Sequence, residues 1–211
     1  MQSTLVSLGM KQCMRDNCLF YFHKNGQLSG LLVFHVDDFL TSGNSEFQKD
    51  IISKLRKKYA FGDISHTDFT FTGLHIFQNH DHEIYVDQED FASKMEIFEY
   101  TRQDNDNILK KEENSQIRRT TGQLNWLSMQ TRPDLSFDAL SLSMNLNFAK
   151  YKDAKVSRKV VMKAKEEKVA VKYSHIGKLE DFTVEVFADA SLGNIESKNE
   201  TKSVMGMFIA L

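Results

Sequence analysis

Short apolar runs separated by turn residues fill the first part of the chain, and this pattern predicts strands rather than helices. Three such runs, rich in Val, Leu and Phe, lie near residues 18–23, 29–36 and 39–43. The turn residues Lys24-Asn25-Gly26 separate the first two runs. The second and third runs meet directly at Asp37 and Asp38, so we expect these two aspartates at the tip of a tight hairpin.

Helical spacing begins after the third strand. Asn44 or Ser45 can cap a helix on which Phe47, Ile51 and Leu55 recur on one face. The pattern then predicts strands near 69–77 and 83–87, a helix over 88–98 and an exposed connection over 101–115. Three further helices are predicted over 117–129, 133–148 and 154–173.

Composition limits the class of protein without identifying it. A chain of 211 residues can bury a sizeable core, and a net charge of −2 argues against a uniformly cationic binder. The two cysteines lack the partners of a zinc cluster and suit a reducing compartment. No signal segment and no apolar stretch of about 20 residues is present, so we expect a soluble intracellular protein without a membrane partner.

The adjacent carboxylates Asp37 and Asp38 are the first candidates for chemistry. Carboxylates beside an apolar core are costly unless they are paired, hydrogen-bonded or bound to a metal, so two at one tip indicate a site for a divalent cation. An ordinary hairpin turn explains the same residues equally well, because Asp side chains hydrogen-bond nearby backbone groups.

Three other features allow two interpretations each. The helix over 154–173 is rich in lysine, so it either contacts a nucleic-acid backbone or is a solvated surface; its candidate binding residues are Lys155, Arg158, Lys159 and Lys163. Trp126 is expected as a core anchor, with an exposed base-stacking role as the alternative. Arg132 would either pair with a carboxylate or clamp a phosphate.

Five blocks of the chain, in order, resemble the reverse transcriptase region of copia-type retrotransposon polyproteins. They are His35-Val36-Asp37-Asp38-Phe39-Leu40-Thr41-Ser42-Gly43, Phe71-Thr72-Gly73-Leu74-His75-Ile76, Ile84-Tyr85-Val86-Asp87-Gln88-Glu89-Asp90-Phe91, the pair Arg119-Thr120-Thr121-Gly122-Gln123-Leu124-Asn125-Trp126-Leu127 with Thr131-Arg132-Pro133-Asp134-Leu135-Ser136, and Phe187-Ala188-Asp189-Ala190-Ser191. Together they cover nearly the whole chain. The first block departs from the family's Tyr-Val-Asp-Asp by having His35 in place of the tyrosine.

The resemblance implies an α+β fold in three parts. Residues 1–100 would be the C-terminal part of a reverse transcriptase palm, an antiparallel sheet with helices; residues 101–178 a helical thumb and connection; and residues 179–211 the truncated N-terminal hairpin of a ribonuclease H-like domain. The stretch before Cys18 is too short for the family's earlier palm strand and nucleotide pocket. We therefore expect a fragment of a longer polyprotein.

The activity implied by the resemblance is RNA-directed DNA polymerisation by two-metal nucleotidyl transfer. Asp37 and Asp38 would be catalytic and would hold Mg²⁺ or Mn²⁺ ions roughly 3.5–4 Å apart. Asp189 would be the first catalytic carboxylate of ribonuclease H. The partners would be an RNA template, a DNA primer, their RNA–DNA hybrid and the rest of the polyprotein. Because each carboxylate set is incomplete in this chain, we expect it to be inactive alone.

Two alternatives come from other functional classes. One is a non-catalytic nucleic-acid-binding module derived from a retroelement, which would use the basic helices near 49–58 and 150–172. The other is a metal-dependent nuclease or phosphatase unrelated to polymerases, which would use the same pair of aspartates.

Overall fold

The chain folds as an α+β protein with antiparallel sheets and helices. The structure, a computed structural model, describes residues 1–99, 105–174, 185–197 and 200–210, with few side chains in the last two ranges. Contacts between backbone positions divide the chain into two compact units, Met1–Thr72 and Gly73–Leu211. The α+β class predicted from the sequence is confirmed, and no helix among the described residues is both long and apolar enough to cross a membrane.

The first unit contains a four-stranded antiparallel sheet of order β1-β2-β3-β4. Its elements are α1 (Gln2–Ser7), β1 (Lys11–Gln12), β2 (Leu19–Lys24), β3 (Gln27–His35), β4 (Asp38–Gly43), α2 (Ser45–Phe47), a π-helical turn (Gln48–Ile52), α3 (Ser53–Lys58) and β5 (Asp68–Phe71). Strands β2, β3 and β4 confirm the three strands expected from the apolar runs. Within the described residues, β4 lies at the edge of this sheet.

The helical segment that follows β4 covers one face of the sheet. The side chain of Asn44 accepts a hydrogen bond from the backbone N–H of Phe47 at 3.0 Å, so Asn44 is the capping residue. Phe47 and Leu55 are buried together with Phe20 and Leu32 of the sheet. Since side chains alternate between the faces of a strand, the other face of the sheet points away from this core.

The second unit combines strands with a helical core. Its elements are β6 (Leu74–Gln78), β7 (Ile84–Asp87), α4 (Glu89–Lys94), α5 (Lys111–Gln130), a 3-10 turn (Pro133–Leu135), α6 (Ser136–Asn145), a second 3-10 turn (Leu146–Phe148), α7 (Tyr151–Glu166), β8 (Val171–Tyr173), β9 (Glu185–Ser197) and β10 (Glu200–Ala210). Strand β7 pairs antiparallel with β6 and with β8. Leu124, Leu135, Ala139 and Val161 lie at the centre of the helical core.

Several predicted boundaries are wrong. The strand expected over 69–77 is interrupted at Thr72 and Gly73, where φ is +51° and +82° and the chain turns. The helix expected over 88–98 ends at Lys94, and the helix expected over 117–129 already begins at Lys111. The helix expected over 154–173 runs from Tyr151 to Glu166, because Val171–Tyr173 pairs with β7 instead.

The last two strands, β9 and β10, form an antiparallel pair in the region expected to hold a hairpin. Asp189 lies opposite Gly206 in this pair, and the register shifts between Lys202 and Val204. The pairing agrees with a hairpin but does not identify its family. The predicted domain boundaries near residues 101 and 179 lie outside the described residues.

Candidate functional site at the Asp37-Asp38 hairpin

The two aspartates lie at the tip of the hairpin formed by β3 and β4. The cross-strand pair of His35 with Asp38 closes the hairpin, which leaves Val36 and Asp37 as a two-residue turn. All four of these residues are exposed. The predicted hairpin with accessible carboxylates is therefore confirmed, while the catalytic role of the carboxylates stays a prediction.

The turn requires a backbone conformation of Val36 that is unfavourable for a β-branched residue. Its φ is +55°, in the left-handed region, and its side chain is 80% exposed. A β-branched residue is a genuine outlier there, and such strain costs on the order of 1–3 kcal/mol. The ladder of β3 with β4 continues without a register shift from His35 and Asp38 to Gly30 and Gly43 and holds the turn in place. Strain of this kind is concentrated at functional sites.

Asp38 belongs to the face of the sheet that points away from the helices. The next residue, Phe39, packs against the core of the first unit and contacts Phe34 and Phe61 through their rings. Because successive side chains of a strand point to opposite faces, Asp38 and Leu40 point away from that core. The carboxylate of Asp38 is thus presented on the uncovered side of the sheet.

A groove of about 410 Å³ runs beside β4. One wall is formed by residues Asp37 to Thr41. The other walls come from the helical segment, from the stretch that follows it and from β5, and they include Ile52, Leu55, Arg56, residues 61–66, Phe69, Thr70 and Phe71. Its lining combines phenylalanine rings with polar groups, among them Asp63 and His66. Arg56, Asp63 and His66 were not predicted, because they come from separate segments that only the tertiary structure brings to one groove.

The residues fit a divalent cation only in part. Carboxylate oxygens are the ligands that Mg²⁺ prefers, and Asp37 and Asp38 supply two exposed carboxylates. Across the part of the chain that the structure describes, no group of three or more His, Cys, Asp or Glu side chains is arranged to hold a metal. The hairpin therefore provides part of a ligand set and not a complete metal site.

The other predicted catalytic residue, Asp189, lies in β9 opposite Gly206. The placement of its side chain is outside what the structure describes. Its proposed role in a ribonuclease H site stays a prediction.

The predicted nucleic-acid-binding residues of α7 are mostly engaged within the second unit. Lys155 donates a hydrogen bond to the side chain of Asn105, Arg158 pairs with Glu99 at 2.8 Å, and Lys163 pairs with Asp134 at 3.2 Å. Lys159 is exposed on the same helix. Arg158 and Lys163 are only partly exposed in these pairs, so a phosphate would reach them less readily than a well-exposed cation, which reduces the electrostatic case for α7.

Arg132 is 3% exposed, and its contacts distinguish between its two interpretations. Its guanidinium donates hydrogen bonds to both carboxylate oxygens of Asp134 and to the carbonyl oxygens of Ala164 and Glu167, at 2.8–3.3 Å. The hydrogen bonds from Arg132 to Asp134, and secondarily the one from Lys163, hold the pKa of the Asp134 carboxyl below its ordinary value against the opposing effect of burial. Arg132 therefore pairs with a carboxylate and caps the end of α7, instead of clamping a phosphate.

Trp126 is 41% exposed, so the expected core-anchor role is wrong. The buried face of α5 is set by Ile117, Leu124 and Leu127. Trp126 lies two residues after Leu124, about 200° around the helix, which directs it to solvent. The spacing of those three apolar residues was a usable signal that position 126 lies on the other side.

Comparisons of the chain with protein-family models, with curated proteins and with solved structures found no match. Its function is therefore inferred from the residues and the geometry of the hairpin.

Proposed function

We propose that this chain is a segment of a copia-type reverse transcriptase and that Asp37 and Asp38 belong to its site for RNA-directed DNA synthesis. The observation that carries the proposal is the pair of exposed carboxylates at a strained two-residue turn between two antiparallel strands. An ordinary surface hairpin would place Gly, Asn or Asp at the positive φ that Val36 adopts.

The edge of β4 offers a place for the part of the site that is missing from the described residues. An edge strand presents unpaired backbone N–H and C=O groups that can pair with a further strand. The groove lies beside β4, and Asp37 to Thr41 are among the residues that line it. The resemblance places the first catalytic aspartate on an earlier palm strand, and a strand paired with β4 would bring such a carboxylate close to Asp38.

Asp37 and Asp38 would hold divalent cations, preferably Mg²⁺ or Mn²⁺, through their carboxylate oxygens. When bound, such ions would activate the 3′ hydroxyl of the primer and neutralise charge on the leaving pyrophosphate. Catalytic groups that act as a unit lose most of the rate when the unit is incomplete. We therefore expect no polymerase activity from this chain alone.

The experiment is primer extension on an RNA template with Mg²⁺ or Mn²⁺. The chain is assayed alone and together with a separate polypeptide that carries the upstream palm segment of a copia-type reverse transcriptase. We expect no extension by either polypeptide alone and template-dependent extension by the mixture. The extension should disappear with Asp38→Asn and persist with Asp63→Asn, a matched change of another exposed aspartate beside the same groove.

Two outcomes would contradict the proposal. The first is a mixture that extends no primer although the two polypeptides form a complex. The second is extension that survives Asp38→Asn, because the hairpin carboxylates would then have no part in the reaction.

A second candidate function is non-catalytic nucleic-acid binding. This candidate is favoured by the exposure of three lysines along the helical segment of the first unit, which are Lys49, Lys54 and Lys57. Neutralising phosphates releases counterions, so binding by these lysines should weaken steeply as the salt concentration rises. Fluorescence anisotropy with a labelled RNA–DNA duplex would compare two variants, one with these three lysines changed to Gln and one with Lys155→Gln, Lys159→Gln and Lys163→Gln. Unchanged affinity in both variants would contradict this candidate.

A further inference from the structure

Helix α5 presents to solvent a face that lies outside the buried core of its unit. The helix has 20 residues, and its buried positions form one stripe that ends near Leu127. The exposed positions are Lys111, Glu112, Ser115, Gln116, Arg118, Arg119, Gly122, Trp126, Met129 and Gln130. This exposed face combines three cations and one carboxylate with an indole ring.

Gly122 leaves open space on the same face of α5, one turn before Trp126. Side chains on a helix lean toward its N-terminus, so the ring of Trp126 leans toward Gly122, one turn earlier. A Cβ placed on Gly122 would meet no heavy atom within 4 Å. A flat group can therefore lie against the ring without displacing a side chain at that position. Exposed tryptophans are enriched where proteins bind partners, since their large rings gain much from being covered.

Two arginines lie along the same face. Arg118 donates through Nη2 to the carbonyl of Leu146 and to the side chain of Asn147, which fixes its guanidinium beside the helix. Arg119 pairs with Glu96 at 3.1 Å, and both partners are well exposed. Exposed pairs contribute about 0–1 kcal/mol, so an incoming phosphate can replace Glu96 at low cost. Arg119 and Trp126 are seven residues apart, about 10 Å along the helix.

We propose that this face of α5 binds a single-stranded nucleic acid, with a base stacked on Trp126 and the backbone phosphates near Arg118 and Arg119. A ring that stacks bases, next to cations that contact phosphates, is how proteins bind single strands without reading their sequence. The choice of a nucleic acid over another flat anionic ligand rests on the proposed function. The stacking surface itself does not depend on the Asp37-Asp38 hairpin.

Trp126 is the only tryptophan in the chain, so its fluorescence reports on this site alone. The first measurement titrates the full chain with oligothymidylate and, in parallel, with an abasic oligomer of the same length. We expect oligothymidylate to quench the fluorescence and the abasic oligomer to leave it nearly unchanged, because only the former has bases to stack.

The second measurement uses anisotropy of a labelled oligothymidylate with variants of the chain. Trp126→Ala should weaken binding about 10-fold, within the range for loss of one stacked base, and Trp126→Phe should recover most of the affinity. Arg119→Gln should lower the salt dependence. Phe137→Ala is the matched control, since Phe137 is an exposed aromatic residue on α6 of the same unit, and it should bind as the unmodified chain does.

Three results would overturn the proposal. One is fluorescence that does not change when the labelled strand is bound, and another is equal quenching by the abasic oligomer. The third is a Trp126 emission shift that depends on protein concentration without any oligonucleotide, which would show that the face binds a second copy of the chain. Because none of these readouts requires polymerase activity, failure here is distinguishable from failure of the primer-extension experiment.

Discussion

Arg132 and Asp134 are joined by two parallel hydrogen bonds, Nε to Oδ1 at 2.8 Å and Nη2 to Oδ2 at 2.9 Å. The same guanidinium donates through Nη1 to the carbonyl of Glu167 at 2.8 Å, just beyond the end of α7. A planar group with five donors is needed to make these contacts together. The Thr-Arg-Pro-Asp block thus connects the end of α5 to the end of α7.

Replacing Arg132 with lysine should destabilise the second unit. A lysine ammonium cannot make the bidentate contact and also reach the α7 carbonyls, so buried polar groups lose their partners. We expect a loss of about 2–3 kcal/mol in the free energy of unfolding. Urea unfolding followed by Trp126 fluorescence measures it. Arg119→Lys, at an exposed pair with Glu96, should change stability by less than about 0.5 kcal/mol and serves as the control.

The pH dependence of stability should reveal the ionised Asp134 carboxylate. Its hydrogen bonds from Arg132 hold its folded-state pKa below the ordinary value of 3.8. A carboxyl group whose pKa is lower in the folded than in the unfolded state stabilises the fold. This contribution to the free energy of unfolding is complete at pH values above the unfolded-state pKa and is lost as the pH falls through the folded-state pKa. The difference in unfolding free energy between the unmodified chain and Asp134→Asn should therefore be constant near neutral pH and shrink in acid. A difference that grows in acid would contradict this assignment.

The turn residue Val36 should be replaceable by glycine without loss of stability. Glycine adopts positive φ freely, so Val36→Gly removes the strain at φ +55°, and this gain offsets the greater freedom of glycine in the unfolded chain. We expect a change between zero and about 1 kcal/mol toward greater stability. Val33→Gly, in the middle of β3, should destabilise the protein because the strand loses a half-buried side chain. Thermal unfolding followed by far-UV circular dichroism compares the two variants, and equal losses in both would refute a strained turn.

The sequence was sufficient to predict the hairpin, because its signals are local. Two short apolar runs that meet at Asp37 and Asp38 leave only a tight turn between them, and the structure has that turn. The helix cap at Asn44 also depends only on neighbouring residues, because its side chain accepts a hydrogen bond from the backbone N–H of Phe47, three residues later. Features that depend on a few neighbouring residues are readable without a structure.

Features that depend on distant partners could not be predicted in this way. Val171–Tyr173 follows a basic helical pattern and becomes strand β8 only because β7, more than eighty residues earlier, offers an edge. The groove beside β4 likewise combines Arg56, Asp63 and His66 from different segments. The family resemblance adds roles for Asp37, Asp38 and Asp189, and these roles await the experiments described above.

The close packing of Phe47 on Gly30 leads to a last prediction, about what holds the hairpin in place. A Cβ on Gly30 would lie less than 3.0 Å from the ring of Phe47, and a Cβ on Gly43, the strand partner of Gly30, would collide with the same ring. Phe47 is fully buried, so its ring cannot move aside without disturbing the core of the first unit. Gly30→Ala should therefore cost about 1–3 kcal/mol, as overpacking does.

Urea unfolding followed by far-UV circular dichroism measures this loss. Gly62→Ala is the matched control, because a Cβ at Gly62 meets nothing within 4 Å, and we expect it to leave stability nearly unchanged. Since the ladder of β3 with β4 runs from the pair Gly30 and Gly43 to the pair His35 and Asp38, a shifted Phe47 should also displace the hairpin tip. In the primer-extension mixture, Gly30→Ala should consequently lower activity more than Gly62→Ala does. Equal stability of the two variants would show that the core accommodates the added methyl group and that Phe47 does not fix the hairpin.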